Sequence, residues 1–219
     1  MRFKICCIQS VEEAEMAIAA GAWAIGLVAA MPSGPGPVDD VRIATIARAT
    51  KGRIKRVLLT SHTDPEAVVE HVLRCGCDVV QLVDCVPVQT CEAIRRHCPD
   101  VLIIQVVHVQ GEEALDTAKA AAPHGDMILL DSGRMDGPVK ELGGTGRTHN
   151  WDLSRTIVET LDGPVILAGG LNPDNAREAC MQVKPFALDI CSGLRGPGFA
   201  LNADKLGGFA QVCANTLTT

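Results

Sequence analysis

The sequence has no basic excess: 20 lysines and arginines stand against 26 acidic residues, a formal net charge of -6, and no lysine- or arginine-rich run breaks that balance. A protein that binds nucleic acid by neutralising phosphates needs the opposite balance, so no nucleic-acid partner is expected. Nor is there an apolar stretch of membrane-spanning length, and no membrane partner is expected. Met1 leads through one basic turn to Glu12, Glu13 and Glu15 rather than to an apolar signal segment, and the expected location is cytoplasmic. A paired CxxC is missing too. Cys75, Cys77, Cys85, Cys91, His97 and Cys98 crowd together, but a predicted strand and helix run through them without knuckle spacing, so no metal is expected. The ten cysteines need no disulfide framework in a chain of 219 residues, and they read as reduced thiols.

What is present is the composition of a soluble globular protein, 47% hydrophobic and 21% charged, long enough for one α/β domain over residues 1–219. The first apolar run, Arg2 to Ser10, reads as a short buried strand with Cys6 or Cys7 at its carboxyl end, and Ser10 with Glu13 starts a helix over 11–20. Further strands are predicted over 22–28, 54–60, 78–83, 101–108, 127–131, 165–168 and 186–190. Helices alternate with them over 41–50, 65–75, 88–97, 112–121, 153–160, 175–180 and 203–214. Eight strand-helix units with strands apolar on both faces predict a (β/α)8 TIM barrel. An open doubly wound sheet is the alternative, although no dinucleotide glycine fingerprint follows the first strand.

In a barrel the strand ends converge on one face. That face would gather Cys6 and Cys7, Asp84, His108, Asp131 and Ser132, Gly169 and Gly170, and Cys191, Ser192 and Gly193. Ala168-Gly169-Gly170-Leu171 and Cys191-Ser192-Gly193 present unobstructed amides and a hydroxyl after strands seven and eight, a phosphate site if they do more than turn the chain. Gly143-Gly144-Thr145-Gly146 either adds amides or covers the site. Asp131 ends an apolar strand, where desolvation raises a carboxyl pKa and favours a general acid over a cap or turn former. Cys6 is then the candidate base, with His108 as a rival acid-base group.

The order Lys4-Ile5-Cys6, Ile54-Lys55-Arg56-Val57, Val79-Val80-Gln81-Leu82, Leu129-Leu130-Asp131, Gly143-Gly144-Thr145-Gly146-Arg147-Thr148 with Trp151, Leu167-Ala168-Gly169-Gly170-Leu171-Asn172-Pro173 and Asp189 to Gly193 spans nearly the whole chain. It resembles the phosphoribosylanthranilate isomerases, barrel enzymes of tryptophan biosynthesis. The resemblance implies an Amadori rearrangement of a phosphorylated small molecule without a cofactor. By position, Asp131 would protonate the furanose ring oxygen and Cys6 would take the C2′ proton. The substrate and phosphate contacts would fall on Lys4, Gly144, Gly146, Gly169, Gly170, Ser192 and Gly193.

The chain departs from that pattern at the aromatic end of the substrate. The family carries a serine-proline-arginine segment after strand two, its arginine holding the anthranilate carboxylate, where this chain has Ser33-Gly34-Pro35-Gly36-Pro37. Cys7 replaces a usual glycine, Val83 a histidine, His149-Asn150 a phenylalanine-aspartate pair, and Arg195 an acidic residue. Arg134, Arg147 and Arg195 are the cations available in place of the missing arginine. Three readings follow: the isomerase itself, a related isomerase acting on a different phosphorylated aminosugar or sugar phosphate, and a non-catalytic phospho-ligand binder or thiol sensor. Both a monomer and a homodimer are compatible with the predicted helix faces.

Overall fold

A computed structural model describes residues 1–133 and 148–216. Its strands are β1 Arg2–Ile5, β2 Ala24–Val28, β3 Lys55–Thr60, β4 Val79–Leu82, β5 Leu102–His108, β6 Met127–Asp131, β7 Val165–Leu167 and β8 Ala187–Ile190. The helices between and after them are α1 Val11–Ala19, α2 Asp40–Ala49, α3 Pro65–Cys75, α4 Val88–His97, α5 Glu113–Ala121, α6 Trp151–Thr160, α7 Ala176–Val183 and α8 Ala203–Asn215. The strands pair in chain order and β8 returns to β1, so the sheet closes as a parallel eight-stranded barrel. That closure excludes the open doubly wound sheet.

Alternation along each strand divides the core in two. Val57 and Leu59, Ile104 and Val106, Met127 and Leu129, and Ile166 point into the barrel, whereas Ile25 and Leu27, Leu58, Val80 and Leu82, Leu130 and Leu188 face the helices. Local chemistry sets where the helices begin. Ser10, Asp39, Asp64, Asn150 and Asn202 each accept a backbone N–H in the first turn of the helix that follows. The Asn150 cap moves the start of α6 two residues ahead of the predicted Leu153, and α7 runs three residues past the predicted Cys180. Two short 3₁₀ turns, Ser192–Leu194 and Pro197–Phe199, follow β8 and were not predicted. No helix among the described residues is long and apolar enough to cross a membrane.

One sequence expectation fails outright. Cys7 and Cys191 form a disulfide with Cα atoms 6.0 Å apart, so the ten cysteines are not all thiols. Separation in sequence hid the pair: the two positions that barrel closure makes neighbours are 184 apart along the chain.

Candidate active site

The end of β1 is built by three neighbours. Cys6 continues the strand by donating its N–H to the Ile190 carbonyl at 2.8 Å. Its side chain turns into the barrel against β2, where Gly26 leaves the space: a Cβ there would lie 2.8 Å from Cys6 Sγ. Cys7 then adopts φ 63°, a left-handed conformation costly for a residue with a Cβ. Arg195 holds that turn, with Nη2 donating to the carbonyls of Cys6 and Cys7 at 2.9 and 2.7 Å and Nη1 donating to both carboxylate oxygens of Glu13 at 2.8 Å. Arg195 was offered by sequence as a replacement for the missing carboxylate-binding arginine. Buried, and bonded through both terminal nitrogens to Glu13 and the chain, it is a clamp on the β1 turn.

Beneath Cys6 lies a charged pair. Lys4 and Asp189 are register partners across the closing seam, and Lys4 Nζ donates to Asp189 Oδ2 at 2.6 Å with no exposure of the lysine. Burial pushes the Cys6 thiol up to about 11, against the pull of the Lys4 ammonium beside it. Asp131, the last residue of β6, is also raised by burial, while the Ser132 N–H at 2.7 Å and the nearby His108 and Lys4 favour its ionised form. Acid and base candidates are therefore both held toward their neutral forms.

Cys6, Asp131, Asp189 and Gln81 meet in one cavity of about 620 Å³. Two acceptors in its lining residues have no partner: Gln81 Oε1 and Asp189 Oδ1, both on residues more than nine-tenths buried. Gly169, Gly170 and Ser192 line the same cavity, and Gly193 lies beside them. Gly169 at φ 84° and Gly170 at φ 63° make the left-handed turn that glycine accommodates. Gly193 has no room for a Cβ against the Leu171 carbonyl, so the two loops pack backbone to backbone.

Behind Gly169, His149 bonds through Nε2 to Ser154 Oγ at 2.7 Å, and burial lowers its pKa to about 4, leaving the ring neutral. His108, the rival acid-base group, bonds through Nε2 to the Val83 carbonyl at 3.1 Å and does not line the cavity. Lys4 does not line it either but sits beneath Cys6. Gly144, Gly146, Arg134 and Arg147 fall outside the described residues. On the far rim Met31, Ser33, Gly34 and Pro35 form the wall, and no lysine or arginine is among the described residues lining the cavity.

Sequence reasoning missed Gln81, Asp189 and Gly26. A signal existed for the first two: polar side chains at inward positions of otherwise apolar strands, Val79–Leu82 and Ala187–Ile190, need a purpose. Outside the barrel, Asp40, His71 and Cys75 bring ligand-type atoms within 4.8 Å of one another, but Arg74 and Thr60 already bond to Asp40 and His71, and the crowded cysteines from Cys77 to Cys98 take no part.

Known proteins share the fold and much of the sequence. The N-(5′-phosphoribosyl)anthranilate (PRA) isomerase family matches residues 3–205. The chain belongs to that family. An N-(5′-phosphoribosyl)anthranilate isomerase of Haloarcula marismortui is 33% identical over 96% of this chain and 94% of its own length. That of Geobacter metallireducens is 37% identical over 96% and 98%. Among solved structures, the phosphoribosyl anthranilate isomerase of Thermus thermophilus superposes with a TM-score of 0.82 at 28% identity, covering 98% of this chain and 99% of that one. Another, with TM-score 0.80, 26% identity and the same coverage, is in complex with reduced 1-(o-carboxyphenylamino)-1-deoxyribulose 5-phosphate.

Proposed function

We infer that the chain catalyses the Amadori rearrangement of N-(5′-phosphoribosyl)anthranilate to the aminodeoxyribulose phosphate, with Asp131 as general acid and Cys6 as general base. The observation that carries this reading is the convergence of Cys6, Asp131, Gly169, Gly170 and Ser192 on one cavity within the family's barrel. Amides of Gly170 and Gly193 with the Ser192 hydroxyl would hold the phosphate through uncharged donors. Burial raises the Asp131 carboxyl and so favours the protonated form that would donate to the furanose ring oxygen as the C1′–O bond opens. Opening leaves a cationic Schiff base. Its positive charge favours the Cys6 thiolate, which then removes the C2′ proton to give the enolamine that tautomerises to the ketone. Without that help a thiol of pKa about 11 is ionised in only about one molecule in ten thousand at pH 7. Gln81 Oε1 and Asp189 Oδ1 are acceptors suited to the hydroxyl donors of the opened sugar.

Loss of substrate fluorescence in purified protein tests the reading, with Cys6→Ser and Asp131→Asn each lowering kcat at least about a hundredfold. No turnover above background refutes the activity; turnover undiminished in both variants refutes the residue roles. A second reading, an aminosugar phosphate lacking a carboxylate on its ring, is favoured by the cation-free wall at Ser33–Pro35 among the described residues. It is the better one if the ester or amide of the anthranilate group turns over faster than the acid. A charge-assisted contact is worth about 1.5–3 kcal/mol, so a site that has one would discriminate about tenfold or more in the other direction.

A further inference from the structure

We propose that Cys7 and Cys191 are a redox modification site, closed and opened by thiol–disulfide exchange with a small-molecule disulfide and dithiol, that sets how firmly the phosphate loop is held. Three observations carry it. The pair joins the residue after Cys6 to the residue before Ser192, so one covalent bond ties the β1 turn to the β8 turn. Both cysteines line the cavity, and Cys191 is only half-buried, so the pair lies on the side of the barrel that a small disulfide or dithiol can reach. Finally, Cys7 Sγ lies 3.5 Å from the Pro35 carbonyl, an acceptor ready for the S–H that reduction would create.

Both contacts are present at once: the bonded sulfur already touches the loop after β2, and reduction would turn that contact into a hydrogen bond from the thiol without moving the sulfur. That loop is pressed on Cys7: a Cβ at Gly36, φ 71°, would lie 2.8 Å from Cys7 Cβ and 2.7 Å from Phe199 Cε1. One sulfur thus sits between the phosphate side and the Ser33–Pro35 wall of the same cavity, and reduction would release only the first. Arg195 fixes the Cys7 backbone through its carbonyl in the left-handed conformation in either state.

The exchange balances without a metal or oxygen. The Cys191 thiolate attacks one sulfur of oxidised glutathione and expels a glutathione thiolate; the Cys7 thiolate then attacks Cys191 Sγ in the mixed disulfide and expels the second. Two protein thiols become one disulfide, and one glutathione disulfide becomes two glutathione thiols. Dithiothreitol reverses it.

The effect on turnover rests on the isomerase reading, whereas the pairing does not, and the experiment separates them. After incubation with oxidised glutathione, thiol titration in denaturant should find eight thiols, and after dithiothreitol all ten. The oxidised protein should be two hydrogens lighter by mass. Reduction should lower Tm by about 5–15 °C, because the bond closes a loop of most of the chain. It should raise the KM for the phosphorylated substrate, and the Kd of inorganic phosphate, about two- to tenfold through loss of a preset loop. Cys6→Ser should keep the two-thiol difference, and Cys7→Ser and Cys191→Ser should each abolish it together with the redox dependence of phosphate binding. Ten thiols after oxidant, loss of pairing in Cys6→Ser, or equal phosphate affinity in the two states would each overturn the proposal. If neither state turns over substrate while the thiol count, Tm and phosphate affinity still respond, the isomerase reading falls and the redox site stands.

Discussion

Lys4→Met isolates what the charged pair beneath Cys6 contributes. The ammonium is fully buried, donates to Asp189 Oδ2 at 2.6 Å and lies close enough to Cys6 to oppose its upward shift. Removing one member of a buried pair leaves the other charge uncompensated, a cost of about 3–5 kcal/mol, which for a chain of this size lowers Tm by about 6–20 °C. Two further effects have a sign. Lys4 favours the ionised form of both Cys6 and Asp131, so its loss should move both limbs of the kcat/KM pH profile upward. On the proposed roles the active form pairs a thiolate with a protonated carboxyl, so the low-pH limb breaks at the lower of the two values and the high-pH limb at the higher, which is that of the Cys6 thiol, raised to about 11. Lys4→Met with Asp189→Leu replaces the pair by apolar groups of similar size and should recover much of the stability, leaving the Cys6 limb displaced upward by less than in the single variant, because Asp189 had been raising the thiol. Urea denaturation and a pH series on both variants provide the check. If the single variant is as stable as the parent, or if stability is recovered and the thiol limb returns to its parental position, Lys4 exerts no electrostatic hold on the base.

Three shorter expectations follow from the same geometry. Gly193→Ala has no space against the Leu171 carbonyl and must shift the loop beside the phosphate, so KM should rise about tenfold or more with a smaller change in kcat, read by steady-state kinetics. Arg195→Met frees the Cys6 and Cys7 carbonyls and strands the Glu13 carboxylate, which should cost about 3–5 kcal/mol in a denaturant titration, part of it recovered by adding Glu13→Gln. Burial raises the thiols of Cys6 and Cys180 to about 11 and those of Cys75, Cys77 and Cys213 to about 12. A thiol raised from 9 on folding contributes stability that is complete below pH 9 and lost as pH climbs through the folded value, about 1.4 kcal/mol per pH unit for each group. Stability of the reduced protein should thus fall steeply above pH 9, and Cys213→Ala should flatten that slope by about one thiol's share.

The barrel was legible in the sequence because its evidence is repetitive. Eight apolar runs alternated with capped amphipathic segments, and three of the helical and strand spans, Pro65–Cys75, Val88–His97 and Met127–Asp131, coincide with those predicted. The candidate acid and base were legible for a related reason: a polar residue at the carboxyl end of an apolar strand stands out before any fold is known. Relationships between strands were not. That Lys4 opposes Asp189, that Gly26 yields to Cys6, and that Cys7 reaches Cys191 all depend on register across β1–β2 and β1–β8, which periodicity within one strand does not contain. Arg195 shows the limit most clearly. Its position near a strand end made it a candidate for anion binding, and only the path of its side chain, back to Glu13 on α1, assigns it to the turn.

Electrostatic economy connects the parts of the site. The phosphate brings about two negative charges into a cavity that already contains Asp131 and Asp189, and two ionised carboxylates there would repel it. Burial resolves part of this by holding Asp131 toward its neutral form, and Lys4 resolves the rest by pairing with Asp189, so that the floor is close to neutral without a cation exposed among the described lining residues. On the proposed reading, phosphate binding would depend on oriented amides from both loops, and Gly193 has no room for a Cβ. Neutrality is also consistent with the proposed use of a thiol held near 11 as the base. Its ionisation would be coupled to ring opening, because only then does a positive charge not already paired, as that of Lys4 is with Asp189, appear beside it, and a cysteine ionised at rest would add a further negative charge where the phosphate must enter. Suppressing both titrations until substrate chemistry supplies the charge makes acid donation and base attack sequential rather than competing events.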